Sequence, residues 1–123
     1  MTSLKKSNNV SSRVVMIDVS DWTGTKEIVL SNPGDEYEIF GKILLDHDQK
    51  HELDLRIIHD APNTKANTRI YGVLRGTSHV SISGTLVVQK HAPFTESFLT
   101  MKMLLLNEHS SAQLVPNLEI HNN

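Results

Sequence analysis

A strand–turn–strand unit recurs in the second half of the chain. The turn sequence APNT at 61–64 returns as APFT at 92–95, an offset of 31 residues, and the apolar alternation continues beyond it. At this offset Ile70, Gly72 and Leu74 match Met101, Met103 and Leu105; at an offset of 32, Ser78, Val80, Ile82, Leu86 and Val88 match Ser110, Ala112, Leu114, Leu118 and Ile120. A unit of two short strands cannot bury its own inward row, but stacked units bury a continuous core. The repeat favours a parallel β-helix, with a β-sandwich or jelly roll as the alternative.

Composition agrees with an all-β class. Val, Ile and Thr supply 28 of the 123 residues, whereas Ala supplies only 4. β-Branched side chains suit pleated surfaces, and an Ala-poor chain makes weak helices. Leu53, Leu55 and Ile57 alternate with charged residues, which is typical of a half-buried strand. Leu86 and Val88 also match Leu55 and Ile57 at an offset of 31. We expect Leu53–Ile57 to pair in parallel with Leu86–Val88, and that strand with Leu118–Ile120.

The chain is predicted to be a single domain. Residues 1–11 are polar and aperiodic and are interpreted as a flexible N-terminal tail, while 12–123 form the β-helix domain. The net charge of -2 argues against a nucleic-acid partner, and the short apolar runs argue against a membrane partner. No secretory signal is visible, so a cytoplasmic location is expected. The absence of cysteine argues against a thiolate-bound cofactor, and none is predicted.

Three segments resemble the core domain of the SufB/SufD family, the scaffold subunits of the SUF iron–sulfur cluster assembly complex. They are HDAPNTK at 59–65, GVLRG at 72–76 and QLVPNLEI at 113–120. Their order and spacing carry the resemblance, which is good over 51–121 and faint over 12–50. It implies a right-handed parallel β-helix, in agreement with the repeat.

The sequence also departs from the family pattern. Ser110 stands where the B-type subunit has the cysteine implicated in cluster building, so the chain is more similar to the D-type subunit. The sequence ends at Asn123, before the family's helical C-terminal domain, which docks the ATPase subunit. The resemblance therefore implies a truncated SufD-like core without that docking surface.

Signs of catalytic or metal chemistry are weak. No common nucleophile, dinucleotide or zinc-protease motif is present, so the chain is not expected to be an enzyme. The polar run 46–54 has possible metal ligands, but a solvated turn entering a strand explains it better. Stacked histidines, His59 with His91 or His79 with His109, are possible outward metal ladders, although turn capping is the more common role.

The resulting hypothesis is a non-catalytic scaffold linked to iron–sulfur cluster assembly. An uncapped final rung is expected to pair with a second copy of the chain, and other SUF components are further possible partners. The predicted interface residues are Ala112, Leu114, Leu118 and Ile120. The apolar outward residues Val73 and Leu104 also suggest a covering segment or partner. Two alternatives remain: a vestigial or partial SufBD domain, and a carbohydrate-binding β-helix that stacks sugars on Trp22, Tyr37 or Tyr71.

Overall fold

The computed structural model describes residues 14–121, and within this range all regular structure is strand. The strands are β1 (Val14–Asp18), β2 (Gly24–Leu30), β3 (Glu36–Leu45), β4 (Lys50–His59), β5 (Lys65–Leu74), β6 (His79–Val88), β7 (Glu96–Leu105) and β8 (Ser111–Ile120). They form two four-stranded sheets, ordered β1-β3-β5-β7 and β2-β4-β6-β8. Every pairing is parallel, and each coil contributes one strand to each sheet. The predicted β-solenoid is confirmed.

The core is the set of side chains that point between the two sheets. Alternate residues of each strand face inward, and like residues of successive coils stack on one another. The largest fully buried apolar side chains are Leu30, Ile39, Leu55, Ile57, Ile70, Leu74 and Ile82. The charged residues beside Leu53, Leu55 and Ile57 face outward, as the alternation predicted.

The register of the last coil follows the sequence repeat. Lys65 pairs with Glu96 at the offset of 31, and His79 pairs with Ser111 at the offset of 32. The register expected for the preceding coil is wrong by two residues: Ile57 pairs with Leu86, an offset of 29. Turn length is the reason, because the turn 60–64 has five residues whereas the equivalent turn 89–95 has seven.

One turn of each coil is built on a proline followed by a residue in the left-handed region. Gly34, Asn63 and Phe94 occupy this position, with φ of 83°, 59° and 61°. The N–H of Asn63 donates to the carbonyl oxygen of Pro93 at 3.0 Å, which ties the turns of neighbouring coils together. The left-handed conformation is sterically unfavourable for Phe94, because this residue has a Cβ atom and a bulky side chain. Phe94 is 81% exposed.

Gly72 is required by a close approach of backbones. A Cβ atom at this position would lie 2.6 Å from the carbonyl oxygen of Ile43 and 2.6 Å from Sδ of Met103. Glycine therefore allows β5 to pack against β3 and β7 at this point.

The tail expected at 1–11 lies outside the described residues, as do the first two and the last two residues of the domain predicted at 12–123. Within residues 14–121, no helix is long and apolar enough to cross a membrane.

Candidate interaction surface

The last coil, β7 and β8, leaves one end of the core uncovered in the described part of the chain. The four predicted interface residues all lie on the inward row of β8, in register with buried Val80 and Ile82 and half-buried Leu86 and Val88 of β6. Ala112 and Leu114 are half-buried against the core. Leu118 and Ile120 are 63% and 57% exposed, because no residue between 14 and 121 packs on their outer side.

A groove of about 470 Å³ lies between the sheets at this end. Its apolar walls are formed by Leu86, Val88, Leu99, Leu118 and Ile120, and Ser97 supplies a hydroxyl. Covering an exposed apolar groove at the end of a stacked core removes apolar surface from water, which lowers the free energy.

The edge of β7 offers an unbroken row of backbone donors. The N–H groups of Glu96 and Leu106 donate toward the preceding coil, to the carbonyl oxygens of Thr64, directly before β5, at 3.0 Å and of Leu74 at 2.9 Å. Successive N–H groups of a strand point to opposite sides. The odd-numbered N–H groups from Ser97 to Leu105 therefore face the open edge.

The edge of β8 is interrupted. Ser111 and His121 donate inward to β6, so the even-numbered N–H groups of β8 face outward. Pro116 occupies one of these even positions and has no N–H to give. Sequence reasoning selected β8 as the pairing strand; the structure shows the more complete edge on β7.

Exposed apolar residues also line the outer face of the odd-numbered sheet. Leu44, Val73 and Leu104 stack in register on β3, β5 and β7. Leu44 is 74% and Leu104 is 58% exposed, whereas Val73 is half-buried. Phe98, also on β7, is 55% exposed. The terminal strand thus carries an exposed apolar residue near each of its ends.

On the outer face of the other sheet, ion pairs link strands of different coils. Arg56 on β4 lies between two carboxylates, with Nε 3.6 Å from Glu27 and Nη1 3.2 Å from Glu119. The hydrogen bond from Arg56 lowers the pKa of the Glu119 carboxyl below its ordinary value. This bridge ties the last strand to β4 across β6.

His59 does not form the outward ladder considered from the sequence. Its side chain points inward and is fully buried, with Nδ1 2.8 Å from Oγ1 of Thr64 and Nε2 2.9 Å from Oγ of Ser97. Burial lowers the pKa of the imidazole below its ordinary value. His91 instead lies 2.6 Å from Asp60.

The second histidine ladder is also not formed. His79 Nδ1 lies 2.6 Å from Oγ of Ser111, while His109 approaches the neighbouring Glu108 at 3.7 Å. The polar run 46–54 is a turn followed by the start of β4, and its strand carboxylates Glu52 and Asp54 face outward. Across residues 14–121, no group of three or more His, Asp or Glu side chains is arranged to hold a metal ion.

The aromatic residues suited to sugar stacking are divided between core and surface. Trp22 and Tyr37 pack against the hydrophobic core, while Tyr71 is 45% exposed on the outer face of β5. This placement does not support the carbohydrate-binding alternative, which needs aromatic faces presented to a ligand.

Comparison with known proteins identifies one family. Residues 2–123 match the family described as SUF system FeS cluster assembly, SufBD core domain. An iron-sulfur cluster assembly SufBD family protein of Mycobacterium leprae is 31% identical over 97 residues, which cover 73% of this chain and 25% of the relative. A protein of the same description from Mycobacterium bovis is 30% identical over 94 residues, covering 71% and 24% of the two chains. The chain therefore spans about a quarter of the length of these curated relatives. No solved structure gives a significant match.

Proposed function

The chain belongs to the SufBD core-domain family of iron–sulfur cluster assembly, and we propose on that basis that it acts as a non-catalytic, SufD-like scaffold in the cytoplasm. The apolar groove at the β7–β8 end supports the proposal, because it offers a surface for a partner and the described residues contain no cluster of metal ligands. Ser110 replaces the cysteine of the B-type pattern, and the chain has no cysteine elsewhere. A hydroxyl is a poor iron ligand near neutral pH compared with a thiolate, so clusters are built on another subunit.

The partner proposed for this end is a second copy of the chain. A two-fold arrangement places the same edge of both copies together, which is the commonest symmetry of soluble homo-oligomers. It pairs β7 with β7 in antiparallel orientation and covers the inward row of β8, including Leu118 and Ile120, in both copies.

The outward N–H groups of β7 determine the register of the proposed β7–β7 pair. Pairing of the odd-numbered residues along the whole of β7 sets Met101 opposite Met101 of the second copy, and Ser97 opposite Leu105. In the same register Phe98 lies opposite Leu104 on the outer face. Both of these side chains are more than half exposed in the single chain, and such aromatic–aliphatic cross-strand pairs are stabilising.

Disulfide formation tests the register, since the chain has no cysteine of its own. Met101→Cys is expected to give a covalent dimer under mild oxidation, because directly opposed residues of this type have Cα atoms about 5.5 Å apart. Met103→Cys is the control: its two introduced thiols are offset by four residues, about 14 Å along the strands. Equal cross-linking of the two variants would refute the register.

The assembly itself is measured by light scattering. A dimer is expected, weakened by Leu118→Asp and unaffected by the outward control Gln113→Lys. Leu118 is 63% exposed, so its substitution is expected to cost little in folding. A species of 13.8 kDa from micromolar to millimolar concentration would contradict self-pairing.

Two further experiments test the role. Anaerobic reconstitution with iron and sulfide is expected to leave the chain colourless after gel filtration, and stoichiometric bound iron and sulfide would refute the D-type assignment. In its host, deletion of the coding segment is expected to lower the activity of iron–sulfur enzymes under iron limitation. Rescue by Gln113→Lys but not by Leu118→Asp would link this role to the end surface, whereas unchanged activity on deletion would favour a vestigial domain.

A further inference from the structure

The wall of the end groove contains a serine hydroxyl that is hydrogen-bonded to a histidine. Ser97 lines the groove, and its Oγ is 2.9 Å from Nε2 of His59. The imidazole itself is fully buried, so it meets the groove only through this serine.

The hydrogen bonds fix which imidazole nitrogen carries the proton. The Thr64 hydroxyl donates to the carbonyl oxygen of Ala61 at 3.2 Å. It therefore accepts from Nδ1–H of His59 at 2.8 Å, which leaves Nε2 with its lone pair. The Ser97 hydroxyl consequently donates to Nε2. A serine hydrogen-bonded to a base, with the base oriented by a third group, is the arrangement that activates a hydroxyl as a nucleophile.

We propose that Ser97 is an acyl-acceptor site, which takes an acyl group from an acyl thioester whose hydrocarbon chain lies in the end groove. The groove volume of about 470 Å³ and the apolar side chains of Leu99, Leu118 and Ile120 suit a linear hydrocarbon chain. The N–H of Ser97 faces the open edge and supplies one donor for the oxyanion that forms during acyl transfer.

The transfer needs no further reactant. Oγ of Ser97 forms a bond to the thioester carbonyl carbon while its proton passes to Nε2 of His59. Collapse of the tetrahedral intermediate breaks the carbon–sulfur bond, and His59 returns the proton to the departing thiolate. The products are an ester on Ser97 and a free thiol. Burial keeps His59 neutral and therefore able to accept the first proton.

The inference concerns the single chain, in which the groove is open. It meets the proposed pairing at one point: antiparallel pairing of β7 covers Ser97. Acylation and pairing therefore exclude one another, and the acyl chain would occupy the space that a second copy fills.

The test uses the 123-residue chain at a concentration at which light scattering shows the single 13.8 kDa species. The chain is exposed to an alkyl fluorophosphonate and to octanoyl thioester, followed by intact mass and peptide mapping. One adduct is expected, on Ser97, and none with Ser97→Ala. Ser111→Ala is the matched control, because Ser111 also contacts a histidine, His79 at 2.6 Å, but lies outside the groove. This control is expected to label like the parent chain.

Two rates separate a nucleophile from a structural hydrogen bond. His59→Gln is expected to slow labelling of Ser97 by about 100-fold, the usual contribution of a general base. The labelling rate of the parent chain is expected to rise with pH as His59 loses its proton. Octanoyl transfer is expected to be at least about tenfold faster than acetyl transfer, since each buried methylene adds binding energy.

Labelling spread over several serines, or no faster at Ser97 than at Ser111, would overturn the inference and leave a purely structural hydrogen-bond chain. Equal rates for octanoyl and acetyl donors would overturn the assignment of the groove. The dimer measurement is separate: a chain that labels on Ser97 but never pairs refutes only the proposed assembly.

Discussion

Replacement of Thr68 by valine is expected to stabilise the protein. Thr68 is fully buried on the inward row of β5, in register with Ile39 and Leu99, and its Oγ1 has no hydrogen-bond partner. A buried hydroxyl without a partner costs about 1–3 kcal/mol. Valine has nearly the same shape and also favours strands, so Thr68→Val removes this cost without a cavity. We expect the free energy of unfolding to rise by about 1–2 kcal/mol.

The same substitution at Thr64 is the matched control. Thr64 is 1% exposed, but its hydroxyl contacts Nδ1 of His59 at 2.8 Å and the carbonyl oxygen of Ala61 at 3.2 Å. Thr64→Val leaves both of these groups without their partner. The free energy of unfolding is therefore expected to fall by about 1–3 kcal/mol.

Equilibrium urea denaturation measures both variants against the parent chain. The denaturant slopes should agree, so that differences in midpoint report differences in stability. Opposite signs for the two variants are the expected result. A loss of stability in Thr68→Val larger than about 0.5 kcal/mol would refute the reasoning, because that exceeds the usual effect of a neutral substitution.

Three other substitutions and conditions have expected outcomes. Burial lowers the pKa of His59, so the unfolded chain binds a proton at this residue more readily than the folded chain does. The free energy of unfolding, measured by urea titration, should therefore fall as the pH drops below about 6.5. The His59→Asn variant should lose that part of the pH dependence. Gly72→Ala should strongly lower the midpoint of thermal unfolding in a calorimetric scan, because the added Cβ would lie 2.6 Å from the carbonyl oxygen of Ile43. A midpoint equal to that of the parent chain would contradict this contact. Phe94→Gly should raise the free energy of unfolding by about 1 kcal/mol, because glycine adopts a φ of 61° without the steric cost that a side chain brings. A lower free energy of unfolding would show instead that the phenyl ring makes stabilising contacts.

The repeat in the sequence predicts the stacking of coils because inward rows must have like neighbours. It does not fix the register of β4 on β6. A slip of two residues keeps every apolar residue on the same face, so alternation alone cannot distinguish an offset of 31 from the observed 29. The additional residues of the turn 89–95 carry this difference, and a turn has no apolar pattern that reveals its length.

The candidate site was only partly predictable for a related reason. The alternation of Leu53, Leu55 and Ile57 extends to His59, so its inward position was available from the sequence. Its partner Ser97 was not, because that contact depends on the seven-residue turn before β7. The importance of the β7 edge was missed since the direction of backbone N–H groups follows from the fold rather than from side-chain pattern.

The unequal lengths of the end strands bear on filament formation. A solenoid with matching ends can add copies head to tail without limit, as amyloid-like fibres do. Here β2, which lies wholly within the described residues, has seven residues, whereas β7 and β8 have ten each. A head-to-tail copy would leave part of the ten-residue edge of β8 unpaired, and Pro116 would interrupt the ladder on one side. The described strands thus disfavour open polymers, while a two-fold pair of equal edges closes on itself and stops.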